Sequence, residues 1–96
     1  MDGLMMDYPL TTQAILRRAE AVFGQREIVT RLSDNTLHRY TVETFCGRVR
    51  QLMSAMATLG IRPGDRVGTY CWNHYRHLEL YFAISSMGAV LHTLNI

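Results

Sequence analysis

The sequence predicts an α/β fold, and three observations predict it. Two short apolar runs, residues 67–72 and 89–94, read as strands, and the stretch between them reads as a helix bounded by Asn73 and Gly88. Residues 27–32 and 37–41 flank Ser33-Asp34-Asn35-Thr36, which is turn chemistry, so a β-hairpin precedes that unit. Between hairpin and strand, apolar residues recur at helical spacing from Phe45 to Leu59.

Taken in order, the first helix is expected at about residues 12–23. Thr11 or Thr12 can cap it with a hydroxyl. Ile15, Ala19, Val22 and Phe23 share one face, and Gly24 suits a left-handed terminator. In the hairpin, Ile28, Thr30 and Leu32 alternate with Val29 and Arg31, so only part of it need be covered. The second helix has Thr41 as N-cap and Glu43 in its first turn, where a carboxylate meets the positive end of the helix dipole. Its stripe is Phe45, Val49, Leu52, Met53, Met56 and Leu59, and Gly60 ends it. A methionine-rich stripe of this kind is core packing.

Arg62-Pro63-Gly64-Asp65 is a turn in which Pro63 presets its own φ and Gly64 takes the positive φ of a type II turn. Residues 67–72 then form a strand with few polar breaks, as if covered on both faces. Asn73 is placed to cap a helix over about 74–87, apolar nearly all round from Leu80 to Ile84 and ended by Gly88. Strand, helix and strand make a parallel, right-handed βαβ unit. The expected core is the second-helix stripe with Val67, Leu78, Phe82 and Val90. A buried parallel pair needs more sheet and cover than these elements offer, so the chain reads as a cut, incomplete domain spanning residues 1–96.

Composition excludes several classes. Ninety-six residues with a 48% hydrophobic share suit one small globular domain. A scattered net charge of +2 argues against nucleic-acid binding. All ten basic residues are arginine, so no lysine serves as Schiff-base former or phosphate clamp. The start, Met1-Asp2-Gly3-Leu4-Met5-Met6-Asp7, is acidic and is not a secretory signal, and the run from Leu80 to Ile84 is far shorter than the ~20 residues of a membrane span. Cys46 and Cys71 read as free thiols in a reducing, cytoplasmic setting.

No catalytic constellation stands out. His74 and His77 lie on one helix, with His92 and His38 elsewhere, and Cys71 and Glu79 are near in sequence, but no metal-ligand spacing results. His74, Arg76 and His77 could make a positive patch at a helix start, yet the preceding Cys71-Trp72-Asn73 lacks the glycine that wraps a phosphate. Packing within a larger domain accounts better for them, and Arg76 with Glu79 reads as an ordinary helix pair. Ser85-Ser86 has no nucleophile-elbow context, and the seven glycines form neither a dinucleotide fingerprint nor a Walker loop.

Two motifs carry a resemblance. Leu59-Gly60-Ile61-Arg62-Pro63-Gly64-Asp65-Arg66-Val67 is similar to a stretch common among adenylate-forming enzymes. Asn73-His74-x-Arg76-His77-Leu78-Glu79-x-Tyr81-x-Ala83, followed by Met87-Gly88-Ala89-Val90-Leu91-His92-Thr93-Leu94-Asn95, resembles the medium- and long-chain fatty-acyl-CoA ligases, with ligases for shorter and sulfur-bearing alkanoates beside them. The resemblance implies the N-terminal portion of the large domain of the adenylate-forming fold. It implies a lipid-metabolic ligase that uses ATP, magnesium and coenzyme A.

The family's phosphate loop, magnesium-holding motif and catalytic lysine are not among these residues. The resemblance therefore implies no catalytic, cofactor or metal residue here, and an isolated chain without activity. Gly60, Pro63, Gly64, Asp65, Asn73, His74, Arg76, His77, Glu79, Gly88, His92, Thr93 and Asn95 are expected to be structural signature residues. The implied partners are the remainder of a ligase chain and, for some relatives, a second copy of the enzyme. Ile84-Ser85-Ser86-Met87 departs from the small residue or proline that relatives often carry before Met-Gly. A self-contained α/β binding module is the alternative from the residues alone.

Overall fold

The computed structural model describes residues 3–95; Met1 and Asp2, which open the acidic start, and the terminal Ile96 lie outside it. The elements run α1 (Thr12–Phe23), β1 (Glu27–Arg31), β2 (Leu37–Thr41), α2 (Val42–Thr58), β3 (Arg66–Thr69), α3 (Tyr75–Ser86) and β4 (Val90–Thr93). β1 and β2 form an antiparallel hairpin, with Glu27 opposite Thr41 and Arg31 opposite Leu37. β3 and β4 pair in parallel, Arg66 beside Val90 and Thr69 beside Thr93, as expected for a βαβ unit. The two sheets do not join. α1, α2 and α3 pack against one another around Leu16, Phe45, Cys46, Val49, Met56, Ala83 and Ile84, and α3 touches both β1 and β4.

Local chemistry sets most element ends. Thr11 and Thr41 cap α1 and α2, their hydroxyls accepting the amides of Ala14 and Thr44. Asp34 accepts both the amide and the hydroxyl of Thr36, which folds the hairpin turn with Asn35 at φ 66°. α2 and α3 end alike. Ile61 N–H reaches Met56 C=O and Ala89 N–H reaches Ile84 C=O, with Gly60 and Gly88 at φ 96° and 78° in the left-handed position of each motif. Gly64, at φ 89°, completes the turn in which Asp65 N–H bonds Arg62 C=O.

Several expectations are corrected. α1 buries Leu16, whereas Ile15, Val22 and Phe23 are exposed, because α2 and α3 approach from the Leu16 side. Gly24 sits at φ −54°, not in the left-handed region; the chain leaves α1 by a tight bend in which Arg26 N–H bonds Phe23 C=O. The α3 N-cap is His74 rather than Asn73, its ring accepting the amide of His77. β3 stops at Thr69, so Tyr70 and Trp72 lie beyond the ladder and are exposed. Leu59 is 81% exposed and Val90 51%. Leu59 lies past the last helical turn, and Val90 faces a side of the sheet that no described element covers. Leu52, Met53, Val67, Leu78 and Phe82 are only partly buried against the core. Tyr81 is exposed, so α3 has one open side between Leu80 and Ile84.

Candidate functional site

Several of the signature residues gather into three joints. At the first, the turn before β3 packs on the end of α3: Gly64 N–H bonds Gly88 C=O at 2.9 Å, and Val90 N–H bonds Asp65 C=O at 2.7 Å. Asp65 also closes its own turn, its Oδ2 accepting Arg62 N–H at 2.8 Å. A Cβ on Gly88 would lie 3.3 Å from Pro63 Cβ, so glycine there allows the close approach as well as the positive φ. Pro63, Gly64, Asp65 and Gly88 are thus brought together by backbone geometry, while Gly60 stands apart at the end of α2 with open space around it.

The second joint lies under β3. His77 is buried, and its Nε2 and Thr69 Oγ1 share a hydrogen bond of 3.0 Å. His92 and Thr93 are exposed on β4 opposite Gly68 and Thr69, and Asn95 is exposed beyond the strand.

The third joint is the densest in chemistry, and sequence reasoning missed most of it. Glu79 is 4% exposed on α3. Its carboxylate accepts the Tyr40 hydroxyl at 2.9 Å and the Arg48 guanidinium twice, from Nε at 2.5 Å and from Nη2 at 3.2 Å. The expected Arg76–Glu79 pair is therefore corrected: Arg76 lies over the Tyr75 ring, 5.3 Å from its centroid, and Arg48 approaches the same ring at 5.9 Å. His38 stacks on Tyr75 at 3.8 Å and meets Tyr40 edge-on. Glu79 holds Arg48 above the ordinary guanidinium range, and burial, then Glu79, pushes the Tyr40 phenol up. Arg48 comes from the off-stripe side of α2 and Tyr40 from the hairpin. Nothing local in the sequence ties either to a residue on α3.

A cleft of about 710 Å³ opens between the hairpin turn and the α3 entry, lined by Arg31, Asp34, Trp72, Asn73, His74 and Arg76 among others. Elsewhere Thr12 and Ser85 hydroxyls meet at 2.8 Å and tie α1 to α3, while Ser86 Oγ is buried without a partner. The Ser85-Ser86 departure is thus half absorbed. Glu20 pairs with Arg50 at 2.7 Å, which holds its carboxyl below the usual range. Burial first, then neighbouring Glu20, pushes the Cys46 thiol up to about 11.

These residues do not fit ATP with magnesium. The carboxylates of Glu20, Glu27, Glu43, Glu79, Asp34 and Asp65 are each hydrogen-bonded within the chain. Gly60, Gly64 and Gly88 serve caps and a turn rather than a phosphate cradle. Among the described residues, no group of three or more His, Cys, Asp or Glu could hold a metal ion, and no helix is long and apolar enough to cross a membrane.

Comparison with known proteins extends this picture. The family model for AMP-binding enzymes matches residues 16–96. The chain is 50% identical over 91 residues to the long-chain-fatty-acid–CoA ligase of Thermus thermophilus, covering 95% of this chain and 17% of that protein. It is 41% identical over 95 residues to the 3-methylmercaptopropionyl-CoA ligase of Ruegeria lacuscaerulensis, covering 99% of this chain and 18% of that one. Its fold matches a fatty acyl CoA synthetase of Mycobacterium tuberculosis with a TM-score of 0.77 at 22% identity, over 88% of this chain and 16% of that chain. The chain therefore spans 17–18% of the length of these curated relatives.

Proposed function

The chain belongs to the AMP-binding enzyme family, and on that premise we propose that residues 1–96 form the N-terminal framework of a fatty-acyl-CoA ligase's large domain. The observation that carries the reading is the 50% identity to the Thermus thermophilus ligase across 95% of the chain. In the proposed reaction a fatty carboxylate attacks the α-phosphorus of ATP, forming an acyl-adenylate and releasing pyrophosphate. The thiol of coenzyme A then attacks the acyl carbon and AMP leaves. ATP, magnesium and coenzyme A are handled outside this segment, and the thirteen signature residues act as structural joints.

Surface supports a place in a larger body. The accessible surface is 7430 Å² at 11.0 kDa, against about 5600 Å² for a compact monomer of that mass. Residues 3–10, outside any helix or strand and exposed, account for part of the excess. The remainder of the ligase chain is the proposed partner, a homodimer the proposed assembly and the cytoplasm the proposed location.

The test is fatty-acid-dependent pyrophosphate release and acyl-CoA formation, measured on the 96-residue chain and on the protein from the gene's entire open reading frame. The expected result is activity in the second and none in the first. Turnover by the 96-residue chain overturns the framework role. The identity to the 3-methylmercaptopropionyl-CoA ligase favours a second substrate, a short sulfur-bearing alkanoate; activity on 3-methylmercaptopropionate without activity on long-chain acids selects it.

A further inference from the structure

The β1–β2 hairpin is fastened to the rest of the chain in two places of different kind. At its base the fastening is backbone: Val42 N–H bonds Arg26 C=O at 2.8 Å, and Glu43 N–H bonds Gly24 C=O at 3.0 Å. Further out, the polar fastening is side-chain only, through Tyr40 to Glu79 and through His38 stacked on Tyr75. The hairpin shares no ladder with β3–β4. A two-stranded hairpin is marginal by itself in water, so its position depends on what holds its face.

Ile28 and Tyr40 pack on the core from that face, and Glu79 supplies its polar hold. One buried carboxylate on α3 receives a donor from β2 and a two-point guanidinium fork from α2, the arrangement that gives geometric specificity as well as strength. We infer that Glu79 is a latch that fixes the hairpin as a flap on α3, hinged at the Gly24–Arg26 and Thr41–Glu43 base. The flap's turn forms one wall of the cleft facing Trp72–Arg76, so the latch also sets the width of that cleft. Losing the latch leaves the helices packed, because Phe45, Val49, Ala83 and Ile84 meet independently of the hairpin turn. It frees β1 and β2 to swing. Glu79 is therefore a positioning residue, acting through Tyr40 and Arg48.

Amide hydrogen exchange on the 96-residue chain tests this, comparing wild type, Glu79→Gln and Tyr40→Phe. A latch predicts that Ile28, Thr30 and His38 amides exchange on the order of tenfold to a hundredfold faster in both variants, as for loss of hydrogen bonds to a charged group. Amides in the middle of α2 and α3 should stay within about threefold of wild type. Uniform acceleration across hairpin and helices overturns the latch, since it reports general destabilisation. An unchanged hairpin also overturns it, as does a wild-type chain whose hairpin amides show no protection. Should Glu79→Gln fail to fold, Tyr40→Phe decides by the same comparison, because it removes one hydroxyl and leaves the Arg48 pair.

Discussion

The hairpin joint and the parallel pair flank the same helix, α3, and are completed to different degrees. On the hairpin side, Tyr40, Arg48 and Glu79 answer one another's hydrogen-bonding capacity, and among the described residues there only His38 Nδ1 is buried without a partner. On the other side, β3 and β4 have four residues each, and Tyr70, Trp72, Val90 and Leu94 stand open around them. The difference separates two jobs. Recognition between α2, α3 and the hairpin is settled inside the chain. The sheet presents apolar surface and, among the described residues, an unpaired strand edge, features that invite pairing and association.

Four perturbations would break or sharpen that contrast. Ile84→Ala, at a fully buried position among the three helices, should cost about 2–5 kcal/mol by chemical denaturation; a cost under about 1 kcal/mol would place the stabilising core elsewhere. Leu52, only partly buried, should cost less on truncation to alanine.

Alkaline pH should weaken the closed side next. Cys46 has its thiol raised from 9.0 to about 11, chiefly by burial, and Tyr40 is raised from 10.0 by burial and Glu79. Both are protonated more firmly when folded: the Cys46 contribution is whole below pH 9.0 and is lost as pH rises through about 11, whereas the Tyr40 contribution is whole below pH 10.0 and is lost only at higher pH still. Thermal midpoints measured from pH 8 upward should fall, and Cys46→Ala with Tyr40→Phe should flatten the fall. A slope unchanged by both substitutions contradicts this account.

Gly88→Ala comes third. It combines a left-handed φ of 78° with a 3.3 Å approach to Pro63, and should cost roughly 1–2 kcal/mol. The equivalent change at Gly60, also left-handed but with open space around it, should cost no more. Equal effects would show that conformation alone decides. Val90→Ser on the open strand is last, within about 0.5 kcal/mol by the same denaturation measurement. A loss above 2 kcal/mol would mean that the sheet is covered in solution, for instance by a second copy of the chain, and sedimentation would then show a dimer.

What the sequence disclosed follows the range of each interaction. Thr41, Gly60, the Arg62–Asp65 turn and the Asp34–Thr36 turn were legible because their closing bonds lie within five residues. The α1 face was misread because Ile15, Val22 and Phe23 form as good a stripe as the one containing Leu16, and only the approach of α2 and α3 chooses between them. Leu59 and Val90 failed as core for a related reason: periodicity assigns a face but not its cover. The Glu79 cluster was the least legible. Its donors come from Tyr40 and Arg48, on two other elements, and the local alternative, Arg76, was the natural partner to name. The motif around Glu79 was visible as a resemblance, and the resemblance was silent about the pairing.

The Gly64–Gly88 bond has a kinetic side. The hairpin closes between neighbours, from Arg31–Leu37 outward, whereas β3 must wait for β4 across the whole of α3 before Arg66 can find Val90. Contacts of that span are slow, because the loop is closed before pairing rewards it. The turn and the helix cap meet at the near end of this ladder, through Gly64 N–H on Gly88 C=O and Val90 N–H on Asp65 C=O. Both pieces are formed locally and are stiff before they touch. Docking them aligns the first rung, and the remaining rungs to Thr69 and Thr93 can close in sequence like a zip from its fixed end.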